Sequence, residues 1–172
     1  MKSSSIRKPF IALCALLFVT GVFAQAYAQD LTVQTGGPAV GETVDLLSFR
    51  SRSGQTLAEV LKHQSLTMLV LVDPSCGTCT ATKDNLEALR ERVQKDHIAY
   101  YVVMIPNGAD PQKYFDFADS LKLGTESFVW SNADAKPPAS LLTMTKPSHL
   151  QVTEEGLIVQ KWLGTPAKDS GQ

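Results

Sequence analysis

Cysteine is scarce in this chain: 172 residues hold three, Cys14, Cys76 and Cys79. That excludes a small scaffold stapled by several disulfides. A structural zinc centre asks for four ligands, usually two cysteine pairs or one pair with histidines close by. The histidines His63, His97 and His149 have no ligand-like spacing, so the sequence disfavours zinc. An excess of one charge is also missing, with 16 basic and 17 acidic residues. No basic stripe points to nucleic acid. Internal repeats and low-complexity tracts are absent. Long apolar runs are absent too, except at the N-terminus. With 44% hydrophobic residues, the composition suits one ordinary globular domain.

The N-terminal exception has a recognisable form. Lys2, Arg7 and Lys8 form a positive leader, Pro9 to Phe23 is almost wholly apolar, and Ala26-Tyr27-Ala28 is a small-x-small cleavage signal. Residues 1–28 therefore read as a signal peptide, and the protein as periplasmic or secreted. The runner-up is an uncleaved anchor, because a span of about 20 residues just crosses a bilayer. Membrane association follows only in that case. Cys14 reads as a small hydrophobe within the leader. The leader takes three basic residues and no acidic ones, so the remainder carries a net charge of −4. Residues 29–42 read as a flexible lead-in, 43–164 as one domain and 165–172 as a polar tail.

What remains after cleavage has two cysteines, both in Asp73-Pro74-Ser75-Cys76-Gly77-Thr78-Cys79. The apolar run from Leu66 to Val72 leads into this stretch and reads as a buried strand. A helix is expected from about Cys76 to Lys95, with Cys79, Thr82, Leu86, Leu89 and Val93 on one buried face. Cys79 then points inward. Cys76 falls in the first turn, where unpaired N–H groups and the helix dipole stabilise a thiolate. Thiols in that setting have pKa values of roughly 3.5–7.5. Cys76 is the expected nucleophile and Cys79 the thiol that resolves a mixed disulfide. Two other readings are a structural disulfide and one half of a zinc site. A bridge between i and i+3 closes a very short loop and constrains the unfolded chain little, so redox chemistry leads. It needs no cofactor.

Along the rest of the chain, Thr43–Phe49 alternates weakly as a strand and Ser51–Gly54 is a turn. Thr56–His63 is a short helix, with His63 favourable at its C-terminal dipole. Ile98–Ile105 is a second buried strand. Asp110 caps a helix over Pro111–Leu121, with Gly124 ending the segment. Thr125–Thr145 is irregular. Ser148–Thr153 and Leu157–Leu163 form a hairpin around Glu154-Glu155-Gly156. The pattern is α/β, a mixed sheet whose parallel part comes from crossovers and whose antiparallel edge is the hairpin.

These residues resemble the thioredoxin-fold redoxins, most closely the exported TlpA-like branch, over about Val40 to Gly164. The Cys76-Gly77-Thr78-Cys79 motif carries the resemblance, with Gly77 and Thr78 supporting the pair. Lys146-Pro147-Ser148-His149-Leu150 is similar to the family's cis-proline loop. The resemblance implies a thioredoxin-like fold in which Pro147 is cis against the cysteines and the backbone at Lys146 pairs with a substrate chain. It implies a thiol–disulfide oxidoreductase acting on protein thiols or disulfides, in maturation of a periplasmic or cytochrome-type protein. Three departures stand out. Ser75 replaces the usual tryptophan, after an Asp73-Pro74 approach similar to that of accessory proteins for methylamine dehydrogenase. Val70 stands where many thioredoxins have a buried acid, so Asp73 is either a substitute proton acceptor for Cys79 or a turn residue. The family's final helix is missing, which would leave a sheet face open to a second copy or a docking partner. A binding alternative is a Cu(I) metallochaperone using Cys76, Cys79 and His149, since thiolates suit soft metals. A peroxidase reading fails because Pro74-Ser75-Cys76 does not match that motif.

Overall fold

The computed structural model describes residues 36–108 and 110–164. The expected leader and polar tail, and the question of a final helix, lie outside them, as does residues 29–35 of the lead-in. Among the described residues no helix is long and apolar enough to cross a membrane.

The fold is built on a strand that water does not reach. Thr67-Met68-Leu69-Val70-Leu71 forms β2, and every residue of it is buried. A strand without a polar face needs cover on both sides. Its neighbours are β3 (Ala99–Met104), parallel, and β5 (Ser148–Val152), antiparallel. β4 (Ser127–Trp130) lies parallel to β3, β1 (Phe49–Ser51) antiparallel to β4, and β6 (Ile158–Leu163) antiparallel to β5. The six-stranded mixed sheet thus has the order β1-β4-β3-β2-β5-β6.

The period of two along each strand sorts side chains into two layers. Leu69, Leu71, Val103, Phe128 and Leu150 face one way, against Leu57 and Leu61 of α1 (Leu57–Leu61) and Leu141 of α5 (Ala139–Leu142). Met68, Val70, Tyr100, Val102 and Val129 face the other. That second layer is closed by Cys79 of α2 (Gly77–Ala81), by Leu86, Leu89 and Val93 of α3 (Lys83–Lys95), and by Tyr114, Phe115, Ala118 and Leu121 of α4 (Pro111–Leu121).

The local signals behave as their chemistry requires. Thr56 and Glu59 form a reciprocal capping box on α1, and Asp110 caps α4 ahead of Pro111. Other expectations need correction. The single helix after Cys76 is two, broken at Thr82, whose hydroxyl donates to the Thr78 carbonyl at 2.8 Å. Such back-bonding bends helices. Thr43–Phe49 is a lone bridge at Thr43, a 3-10 turn at Leu46–Ser48 and only then β1. His63 lies two residues past the end of α1 with φ 75°, its backbone N–H donating to the Glu154 carboxylate at 3.0 Å. Lys122, with φ 55°, ends α4 in the left-handed conformation, and Gly124, with φ 60°, lies two residues beyond. The stretch read as irregular contains β4 and α5.

Gly156 shows why the hairpin turn is constrained. It has φ +82°, and a Cβ there would sit 2.5 Å from the Val44 carbonyl oxygen. Its own carbonyl accepts the Val44 N–H at 2.9 Å. Gly156→Ala should lower the unfolding free energy by about 2–3 kcal/mol, from left-handed strain and the clash together. Urea denaturation would measure it. An unchanged midpoint would mean that the turn shifts freely.

Candidate active site

The two cysteines share a motif but not an environment. β2 runs into a turn in which the Cys76 N–H donates to the Asp73 carbonyl at 2.9 Å. Cys76 is then the N-cap of α2, with extended backbone, and its Sγ accepts the Cys79 N–H at 3.0 Å. It is half-buried, whereas Cys79 is 0% exposed within the second apolar layer. The two sulfurs are joined as a disulfide.

The opposite wall comes from seventy residues further along. The Lys146–Pro147 peptide bond is cis. The Lys146 carbonyl oxygen lies 3.2 Å from Cys76 Sγ. In the disulfide that sulfur has no proton, so this is a contact; in the dithiol the same geometry lets the thiol donate. Behind the bond, the Pro147 carbonyl accepts the Gly164 N–H at 2.8 Å, which ties the loop to the end of β6.

Above the disulfide is a groove of about 650 Å³. Cys76, Gly77, Thr78, Asp73 and Lys146 line it, so the structure brings these sequence-predicted residues together. Asp73 behaves as a turn residue: its Oδ1 accepts the Ser75 N–H and the Ser75 hydroxyl. Gly77 meets nothing within 4 Å at its missing Cβ and keeps the motif low beside the groove. Four further lining residues escaped the sequence reading: Ile105, Asn107, Leu142 and Met144. Ile105 and Asn107 follow β3, and sites in α/β sheets collect at the carboxyl ends of parallel strands. That rule was the available signal. Leu142 belongs to the unrecognised α5 and is 47% exposed.

His149 does not line the groove. It is 0% exposed on β5, one step inward from Pro147. Its Nδ1 lies 3.1 Å from the Gly164 carbonyl oxygen. That oxygen only accepts, so Nδ1 carries the proton and Nε2 the lone pair. Among the described residues no three His, Cys, Asp or Glu side chains converge to hold a metal. The copper set of Cys76, Cys79 and His149 is therefore not assembled, because His149 is fixed within the sheet layer. Burial holds its pKa down to about 4, the Gly164 bond opposing only partly.

Known structures share this architecture. The thioredoxin domain of a thiol-disulfide oxidoreductase from Bacteroides vulgatus matches with a TM-score of 0.59 at 16% identity, over 74% of this chain and 91% of that one. A thiol:disulfide interchange protein from a Bacteroides species matches at 0.56 and 16%, over 72% and 80%. A thio-disulfide isomerase from Thermus thermophilus matches at 0.51 and 15%, over 78% and 89%. No family model and no curated protein matches the chain. The likeness is one of fold, and the fold is thioredoxin-like: a mixed sheet between helices, with a C-terminal hairpin.

The buried imidazole makes folding sensitive to acid. Its folded pKa is depressed, so its stabilisation is fully present above the unfolded value near 6.5 and is lost as pH falls towards about 4. Over that window the loss should reach about 3 kcal/mol. Urea titrations at pH 7 and pH 4.5 would measure it, with His149→Leu flattening the difference. Equal sensitivity in the variant would assign the acid effect to carboxylates instead.

Proposed function

We propose that this protein is an exported thiol–disulfide oxidoreductase that exchanges the Cys76–Cys79 pair with partner proteins. The observation that carries the reading is the asymmetry of the pair beside a groove. Cys76 caps a helix at the groove floor, against the carbonyl that precedes a cis proline, while Cys79 is sealed beneath. The solved structures of the same fold support it by their descriptions as oxidoreductase, interchange protein and isomerase. The leader-like residues 1–28 support export to a periplasm, where the partner would be a protein undergoing maturation.

The chemistry balances with sulfur alone. In the reduced form the Cys76 thiolate attacks one sulfur of a partner disulfide. A Cys76–partner bond forms, the partner's own S–S bond breaks, and one partner thiolate leaves. The Cys79 N–H, 3.0 Å from Cys76 Sγ, stabilises the thiolate before attack. Cys79 then attacks Cys76 Sγ, the internal disulfide forms and the second partner thiolate leaves. Two electrons pass from the dithiol to the partner, and with a partner dithiol the steps run backwards. An extended partner segment fits the groove along Lys146, with an apolar side chain against Leu142 and Met144. Gly77 and Thr78 keep the rim low, and Asp73 holds the turn that presents Cys76.

The test is the reduction potential of the chain without residues 1–28, measured by equilibration in glutathione buffers with thiol trapping at Cys76 and Cys79. A reversible two-electron transition between roughly −270 and −120 mV is expected; no reversible transition would overturn the reading. Cys76→Ser should abolish insulin reduction. Cys79→Ser should accumulate a mixed disulfide with substrate that dithiothreitol releases, visible by mass. Leu142→Asp should raise KM for a protein substrate about tenfold, the loss of one partly buried apolar contact. It should leave the rate with a small aromatic disulfide within about twofold.

A further inference from the structure

Cys79 poses a proton problem that the groove does not solve. It must be a thiolate to break a mixed disulfide. Even an unperturbed thiol is only about 3% ionised at pH 7, and apolar burial lowers that fraction. A base is needed on the same side of the sheet. Asp73 is committed to Ser75 at the surface. The β2 side chains on that face, Met68 and Val70, and the α3 side chains Leu86, Leu89 and Val93 are apolar. Tyr100 is held protonated by burial, its pKa pushed well above the ordinary value, so it is a donor.

One group fits. His149 pairs with Val70 across β2 and β5, so both side chains share a face. Val70 and Cys79 belong to the same buried layer. Pro147 lies two residues back on that face, and the carbonyl before it touches Cys76 Sγ. His149 is thus one row inward from the disulfide. The Gly164 carbonyl fixes its tautomer with a lone pair on Nε2, and no donor among the described residues meets that atom. Beyond it is a cavity of about 320 Å³ that His149 lines together with Met68 and Gln151. Its rim carries exposed Arg92 and Gln160 and half-buried Trp162, so the row ends at solvent.

We infer that His149 is the proton acceptor for Cys79 and passes the proton to solvent through this cavity. The inference rests on the thiol–disulfide reading. In the resolving step the Cys79 Sγ–H bond breaks and its proton moves to Nε2 through one water. The thiolate attacks Cys76 Sγ, the Cys76–Cys79 bond forms and the Cys76–partner bond breaks. The partner leaves as a thiolate and is protonated from solvent. The transient imidazolium, opposed by the Arg92 cation at the rim, discharges outward. Gln151 on β5, Gln160 and Trp162 on β6 and Val70 on β2 add no charge. At rest the imidazole is neutral at pH 7, burial holding its pKa near 4, and the thiolate that forms beside it offsets that loss of basicity during the step.

The experiment uses the fully reduced chain without residues 1–28, whose only thiols are Cys76 and Cys79, and one equivalent of 5,5′-dithiobis(2-nitrobenzoate), followed by stopped flow. Attack by Cys76 releases the first thionitrobenzoate and resolution by Cys79 the second. With His149 as acceptor, the second phase is level between about pH 5 and pH 8, because proton transfer inside the pair leaves its net protonation unchanged. In His149→Leu the second phase at pH 7 should slow at least about tenfold, then rise tenfold per pH unit as Cys79 ionises unaided. The first phase should be unchanged. His149→Gln is the alternative should the leucine variant fold poorly, and the wild-type profile decides independently of either. A second phase with the same rate and plateau in the variants, or a wild-type phase climbing tenfold per unit throughout, would overturn the inference. Absence of a second release at any pH would instead overturn the thiol–disulfide reading itself.

Discussion

The register of β2 is the constraint on which the rest depends. Its five consecutive buried residues leave no polar face, so strands must flank it and helices must cover both sides. With β3 parallel on one flank and β5 antiparallel on the other, the chain end that carries Lys146–Pro147 arrives where β2 delivers Cys76. A one-residue slip of β5 would turn His149 and Pro147 to the other face and bring Ser148 towards the disulfide. The site is therefore a consequence of strand pairing between segments some seventy residues apart. The helix cap at Cys76 supplies only the local half of it.

Equal covalent chemistry becomes unequal through burial. Cys76 and Cys79 stand three apart, yet one is half-exposed at a groove with an N–H aimed at its sulfur and the other is buried. A thiolate is stabilised at the first position and disfavoured at the second. Attack from outside is thereby directed to Cys76. The second sulfur acts only when a mixed disulfide is already held above it, which gives the exchange its order.

Much of this was legible from the residues, for identifiable reasons. The Leu66–Val72 run, the pair at its end and the Asp110-Pro111 cap are local signals, and local signals survive folding. The hairpin was legible from its turn chemistry, and Pro147 through the resemblance of Lys146-Pro147-Ser148-His149-Leu150 to the cis-proline loop of thioredoxin-fold redoxins. What escaped was non-local. β4 is four residues long, and its strand character comes from lying between β1 and β3. The groove wall at Leu142 and Met144 depends on where α5 packs, and nothing in Leu141-Leu142 announces that. The break at Thr82 was hidden because the apolar period continues from Cys79 to Leu86 across it. His149 was noticed as a metal ligand, a reading that needed several donors to converge, and strand pairing holds it within the sheet instead.

That placement bears on what the imidazole contributes. A histidine in the middle of a buried strand weakens the fold in acid, and a lone pair without a donor costs roughly 1–3 kcal/mol. A leucine would fill the same row at neither cost, so packing alone gives the position no advantage. Structural hydrogen bonding accounts for only half of the ring, because Nδ1 meets Gly164 while Nε2 faces no donor among the described residues. What the ring adds, and an aliphatic side chain cannot, is a proton site that fills and empties inside the layer that seals Cys79. A carboxylate in that layer would carry charge at rest, or else hold a proton already and accept none. Neutral imidazole avoids both conditions, and an approaching thiolate would itself raise its proton affinity during the step that needs it.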